Sequence, residues 1–147
     1  MHGQVVRAER GQRASYRPIV SALCKCAEPV LVAQTLVAHC AARQLYVADL
    51  DALQGGAWQL AAWQDLARSL PGVEIWLDAG VADADGAAKL RAQLGDDATR
   101  VVTVFGSESL RSRPAVRACF AADPQAVLSL DRRDGQRLDA AGCWDLP

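Results

Sequence analysis

The sequence predicts an α/β fold with a parallel sheet, on three observations. Four short runs are almost continuously apolar, each ends on an acidic, glycine or serine residue, and the stretches between them carry helix signals. The runs are QLYVADLD (44–51), VEIWLDAG (73–80), RVVTVFGS (100–107) and AVLSLD (126–131). Such continuous apolarity suits strands buried on both faces. Reference positions at their ends, Asp49, Asp78, Gly106 and Asp131, stand 29, 28 and 25 residues apart, the spacing of successive strand–helix units.

The intervening segments read as helices. Segment 29–44 opens with Pro29 in its first turn. Segment 57–70 is amphipathic and is stopped by Pro71-Gly72. Segment 83–95 starts at Asp83 or Asp85 and ends at Gly95. Segment 107–121 takes Ser107 as its N-cap, with Pro114 delaying or kinking its start. Two architectures fit this order. An open doubly wound sheet would normally carry a glycine-rich phosphate turn after its first strand, and neither GxGxxG nor GxxxxGK[ST] occurs. A (β/α)8 barrel instead spreads functional residues over many strand ends, as here. A whole barrel needs about 250 residues. Residues 1–147 are therefore expected to form a single incomplete TIM-barrel domain.

Composition narrows the class. Hydrophobic residues make up 51% and charged residues 22%, the profile of a soluble globular protein. Sixteen Lys and Arg against 17 Asp and Glu leave no basic excess, so no nucleic-acid partner is expected. No apolar run approaches the ~20 residues of a membrane span, and no signal peptide precedes the first charges, so no membrane partner is expected. The five cysteines are odd in number and irregular in spacing. Cys24-Lys25-Cys26 has one intervening residue rather than the two of zinc and thioredoxin motifs, and Cys40 and Cys119 fall in helical segments, where a thiol is usually a small core residue. All five are expected to be reduced and structural, with no metal and no cofactor, in a cytoplasmic protein.

The two ends of the chain look alike. MHGQVVRAERG opens it, and RRDGQRLDAAG (132–142) follows Asp131. Aligning Gly3-Gln4 on Gly135-Gln136 gives a turn, a short second strand and a further glycine at 11 and 142. Asp134-Gly135 is a strong hairpin signal. Asp131 lies four residues before Gly135, and the matching position before Gly3 precedes Met1. The pattern suggests a twofold-repeated barrel in which strands one and five each carry an Asp.

Several stretches in the right order carry a resemblance: GQVVRAERGQRASYRPI, LYVADLDALQGG, WLDAGVAD, VVTVFGSESL and VLSLDRRDGQ. Together they resemble the histidine-biosynthesis isomerase and cyclase superfamily of phosphoribosyl-handling (β/α)8 barrels. They are most similar to an isomerase-like paralogue branch of methylotrophs and methanogens. The resemblance covers nearly the whole chain but about five-eighths of the family's barrel. It implies strands two to five, with strand one and strands six to eight absent. It also implies a phosphorylated small-molecule ligand and an Amadori-type isomerisation, which needs a general acid and a general base on opposite sides of the sugar. The family supplies these as Asp residues on strands one and five, so the resemblance implies a catalytic role for Asp131. It places Asp49 and Asp51 beside the substrate. It makes Gly80, Gly106 and Ser107 a phosphate site, where glycine admits an anion and a helix N-terminus offers N–H groups. Here the chain departs from the family: Ala79 stands where glycine is usual, and Glu108 is close by.

Each candidate has a plainer reading. Asp131 can cap a tight turn, Asp49 and Asp51 can be solvated strand-end carboxylates, and Gly80 and Gly106 can simply allow turns. Arg7, Arg10 and Arg13 either form a solvated loop face or close over an anion. His2 and His39 show no partner spacing. Trp58, Trp63 and Trp76 read as core or barrel-exterior packing, and Trp144 as a cover for the second hairpin. Three functions follow: an isomerase-lineage enzyme, a non-catalytic phosphate-ligand-binding pseudoenzyme, or a fragment lacking the strand-one Asp. An incomplete barrel also has open sheet edges, which predicts self-association.

Overall fold

The structure is a computed structural model and describes residues 1–9, 11–139 and 141–142. Its centre is a four-stranded parallel sheet. The strands are β3 (Gln44–Ala48), β4 (Glu74–Asp78), β5 (Val101–Gly106) and β6 (Val127–Ser129), in spatial order β3-β4-β5-β6. Two two-stranded antiparallel ladders flank it in sequence. β1 (Val6–Arg7) pairs with β2 (Arg17–Pro18), and β7 (Arg132–Arg133) pairs with β8 (Gln136–Arg137). The expected α/β class and all four parallel strands are present, a pattern consistent with part of a TIM barrel.

Register decides which side chains meet the helices. Leu45 lies beside Ile75, which lies beside Val101, and Val47 lies beside Leu77, which lies beside Thr103. Ile75, Leu77, Val101 and Phe105 join the core, together with Trp63, Leu66 and Ala67 of α3 (Leu60–Ser69). Leu90 of α4 (Ala84–Leu94) and Val116 and Cys119 of α5 (Arg113–Ala122) complete that layer. Phe105 is fully buried and meets Phe120 edge to face at 5.3 Å. The alternate residues Tyr46, Trp76 and Val102 share the other face, and Tyr46 is exposed there. Thus Trp58 and Trp63 pack with the helix layer, whereas Trp76 does not; its indole N–H donates to Glu74.

The helix ends follow their caps. Glu28 accepts from Val30 and Leu31 N–H to start α1 (Pro29–Cys40), and left-handed Ala41 stops it short of residue 44. Asp83 caps α4, which resolves the choice between Asp83 and Asp85. The last helix differs from expectation. Ser107 does not cap it; residues 107–110 form a turn, and Ser112 accepts from Ala115 N–H to begin α5 at Arg113. Pro114 then sits in the first turn, where its missing N–H leaves no gap. A short helix, α2 (Leu50–Leu53), was not anticipated.

The hairpin reading is local and specific. His2 and Gly3 have φ of 49° and 72°, and Asp134 and Gly135 have 50° and 79°. Two successive left-handed residues make the turn that matches strand twist. Met1 and Gln4 exchange both backbone hydrogen bonds, at 2.8 and 3.0 Å. Cys24, Cys26, Cys40 and Cys119 are all free, but only Cys119 is in the core. Cys40 is exposed, because the buried face of α1 is Val32 and Ala33. Cys143 and Trp144 lie outside the described residues. Among the described residues no helix is long and apolar enough to cross a membrane.

Candidate functional site

The C-terminal ends of β4, β5 and β6 bring three carboxylates together. Asp78 ends β4 and is buried, with its carboxylate accepting from the Tyr46 hydroxyl at 3.2 Å and Gly80 N–H at 3.2 Å. Asp131 follows β6 and is half-buried, accepting from the Ser129 hydroxyl at 2.7 Å and Glu108 N–H at 3.2 Å. Glu108 follows β5 and accepts from Arg13 at 2.5 Å, with Arg133 at 3.7 Å.

Gly106 explains how two carboxylates fit here. A Cβ on it would lie 2.9 Å from Asp131 Oδ2 and 3.6 Å from Asp78 Oδ2. Both oxygens therefore face the same point, and any side chain would push into it. This gives Gly106 a role in close approach, not in turn conformation.

The surroundings of Asp78 act on its charge. Burial pushes the Asp78 carboxyl up to about 6; the charges of Asp131 and Glu108 add to the rise, while the Gly80 N–H and Tyr46 hydroxyl oppose it. Burial and the Asp78 charge likewise push the Tyr46 hydroxyl well above the ordinary tyrosine value. Tyr46 as a whole residue is 56% exposed at the sheet edge, yet its hydroxyl reaches Asp78. Asp78 thus titrates close to neutrality in contact with a donor, the condition of a general acid or base.

The other sequence candidates are placed differently. Asp49 is buried and caps α2: Oδ1 accepts from Asp51 and Ala52 N–H, and Oδ2 from Gln59 N–H at 2.8 Å. Asp51 accepts from His2 N–H at 2.6 Å and from the Gln59 amide at 3.2 Å, tying the first hairpin down. The His2 ring nitrogen also lies 3.6 Å from Asp51, a partner that spacing did not reveal. Ser107 is buried, donates its hydroxyl to the Leu138 carbonyl at 2.6 Å and accepts from Asp131 N–H at 2.8 Å. Its own N–H donates to Ser129, and Gly80 N–H to Asp78. Gly80 has φ 66° and packs on the Ala52–Leu53 backbone. The proposed phosphate-cradling N–H groups of Gly80 and Ser107 are therefore engaged within the chain.

In the sequence, Asp78 stands out only as a strand-end marker. The missed signal was its place in the repeat of polar strand ends, inside an otherwise apolar run. Arg13 does reach this end, as a loop closing over it would require, but it faces Glu108. Arg7 is exposed in β1, and Arg10 lies outside the described residues. No group of three or more His, Cys, Asp or Glu suited to a metal occurs among the described residues.

A cavity of about 360 Å³ lies elsewhere. Consecutive residues 45–50 line it together with Met1, Val5, Val32 and Trp63. Because both alternating sets of β3 contribute, the cavity runs along the free edge of that strand, not over one face. Its lining is mostly apolar, and it does not include Asp78, Gly106 or Asp131.

No curated protein matches the chain. A family model described as "Histidine biosynthesis protein" matches residues 1–143. That match spans the parallel strands, both hairpins and the carboxylate end just described. The chain belongs to the histidine biosynthesis protein family.

Proposed function

We propose that this barrel protein is an isomerase-like handler of a phosphorylated sugar, with Asp131 as one acid/base group. The observation that carries the reading is the pair of carboxylates, Asp131 and Asp78, facing one point across Gly106. Amadori-type chemistry moves a proton from a sugar carbon while another is delivered to the ring oxygen. It therefore needs two groups whose protonation differs near neutral pH. In this reading Asp78, lifted to about 6, holds or releases a proton and Asp131 works opposite it. Gly106 and Gly80 keep the floor open for the sugar. The phosphate charge is met by Arg13 and Arg133, which swing from Glu108, and Ser107 holds Asp131 in place. Asp49 and Asp51 shape the neighbouring strand end. The Val5–Ile19 stretch supports an isomerase-like paralogue branch in one-carbon metabolism.

The cavity along β3 supports a further strand there, parallel to β3 and leading into the Met1–Gln4 turn as β6 leads into the β7–β8 turn. Reading the DNA upstream of Met1 tests this. The expected result is an in-frame apolar run ending in Asp; a stop codon just upstream contradicts it. In the chain as given, the open edges favour self-association, and a monodisperse monomer by light scattering would contradict that.

The catalytic role is tested on the upstream-extended protein with an aminated phosphoribosyl substrate. Asp131→Asn is expected to lower turnover by about 100-fold or more while binding survives. Unchanged turnover would remove Asp131 from the chemistry. The second reading is a pseudoenzyme that binds phosphate ligands. It predicts binding of ribose 5-phosphate without turnover.

A further inference from the structure

Cys24 and Cys26 lie in the segment between β2 and α1, away from the helix-packed core. Their sulfurs are 3.6 Å apart. Both residues are half-buried, unlike core Cys119. The Cys26 N–H donates to the Cys24 sulfur and holds its thiol below the ordinary cysteine value. The Cys26 and Thr35 side chains act in the same direction, and desolvation and the Glu28 charge oppose it. An accessible thiol of lowered pKa beside a second thiol has the parts that thiol–disulfide exchange requires. Residues 21–26 belong to neither helix nor strand, so the sulfurs can close from 3.6 Å to a bond of about 2.05 Å without breaking a ladder.

We propose that Cys24 and Cys26 form a reactive dithiol site that low-molecular-weight disulfides oxidise to an intrachain disulfide. The Cys24 thiolate attacks one sulfur of the small disulfide, forming a mixed disulfide and releasing one small thiolate. The Cys26 thiolate then attacks the Cys24 sulfur, forming the protein disulfide and releasing the second small thiolate. Two protein thiols are oxidised, one small disulfide is reduced to two thiols, and the two protons pass to those thiols or to water. Cys40 is not a competing partner, because it sits at the far end of a 12-residue helix, about 18 Å long.

Lys25 between the two cysteines makes the bond readable. Reduced Cys40→Ala protein is treated with oxidised glutathione near neutral pH, quenched and cut with trypsin under non-reducing conditions. Cleavage after Lys25 separates the cysteines unless they are bonded. The expected product is the peptide ending at Lys25 joined to the one beginning at Cys26, two hydrogens lighter than the pair. Cys26→Ala is expected to stop at the mixed disulfide on Cys24. With the native Cys40 restored, Cys24 is expected to react about 10-fold faster than Cys40. Separate peptides each carrying glutathione, or two unreacted thiols, would overturn the proposal. So would equal rates at Cys24 and Cys40.

Discussion

The hairpin at Met1–Gln4 and the hairpin at Arg132–Gln136 each turn through two successive left-handed residues, yet only the later one is fed by a strand of the described sheet. β6 delivers Asp131 beside Gly106, where its carboxylate accepts from Ser129 and Glu108 and its N–H donates to Ser107. The early hairpin is held by Asp51 and by Val5 N–H donating to Ala27, and it borders the open edge of β3. A turn is therefore a local property that its own residues specify. A positioned carboxylate is not local, because it depends on the strand beneath and on the neighbours across it.

The largest expected contrast is in packing on the two sides of the sheet. Phe105→Ala, next to β6, should cost about 3–5 kcal/mol, because Phe105 is fully buried against Phe120. Leu45→Ala, on the half-covered β3 side, should cost about 1 kcal/mol. Urea unfolding of the two variants compares them, and equal losses would abolish the distinction between the sides.

Next in size is the pH dependence of the carboxylate end. The folded state holds the Asp78 proton up to about 6, above the ordinary aspartate value of 3.8. Its contribution to stability is therefore full below about pH 3.8 and is lost as pH rises through about 6. Asp78→Asn should remove that decline and stabilise the protein by about 1–3 kcal/mol at alkaline pH, with little gain in acid. Unfolding curves from pH 4 to 8 would reveal it, and a parallel decline in both proteins would refute the assignment.

Gly106→Ala should cost about 1–3 kcal/mol, since its methyl would meet Asp131 Oδ2 at 2.9 Å. Thermal unfolding measures this, and a neutral result would mean that Asp131 moves aside freely. The smallest effects sharpen the hairpin comparison itself. Gly3→Ala and Gly135→Ala both place a Cβ in open space at positive φ, so each pays only the backbone penalty of about 1 kcal/mol. Clearly unequal losses would show that the two turns are not equivalent.

Much of this architecture is legible in the sequence. The four strands announced themselves as apolar runs, and Asp134-Gly135 and His2-Gly3 as turns, because each signal is carried by adjacent residues. The start of α5 was misread because Ser107 and Ser112 are both competent caps. Pro114 suits an early position in the helix, and the Ser107 hydroxyl finds the Leu138 carbonyl instead. Cys40 was misread as core because α1 is apolar on several sides, and only its packing on α3 selects Val32 and Ala33.

By itself, the order of residues determined the α/β class, the strand spacing and the two left-handed turns, since these rest on side-chain pattern and local backbone preference. Only the tertiary structure decided which strand-end acids meet. It spent Asp49 on capping α2 and Asp51 on the His2 hairpin, and it set Asp78 against Asp131 across Gly106. The physical reason is register: Asp78 pairs with Val104, two residues before Gly106, and Ser129 pairs with Gly106 two residues before Asp131. That alignment spans 53 positions of sequence, and no single segment encodes it.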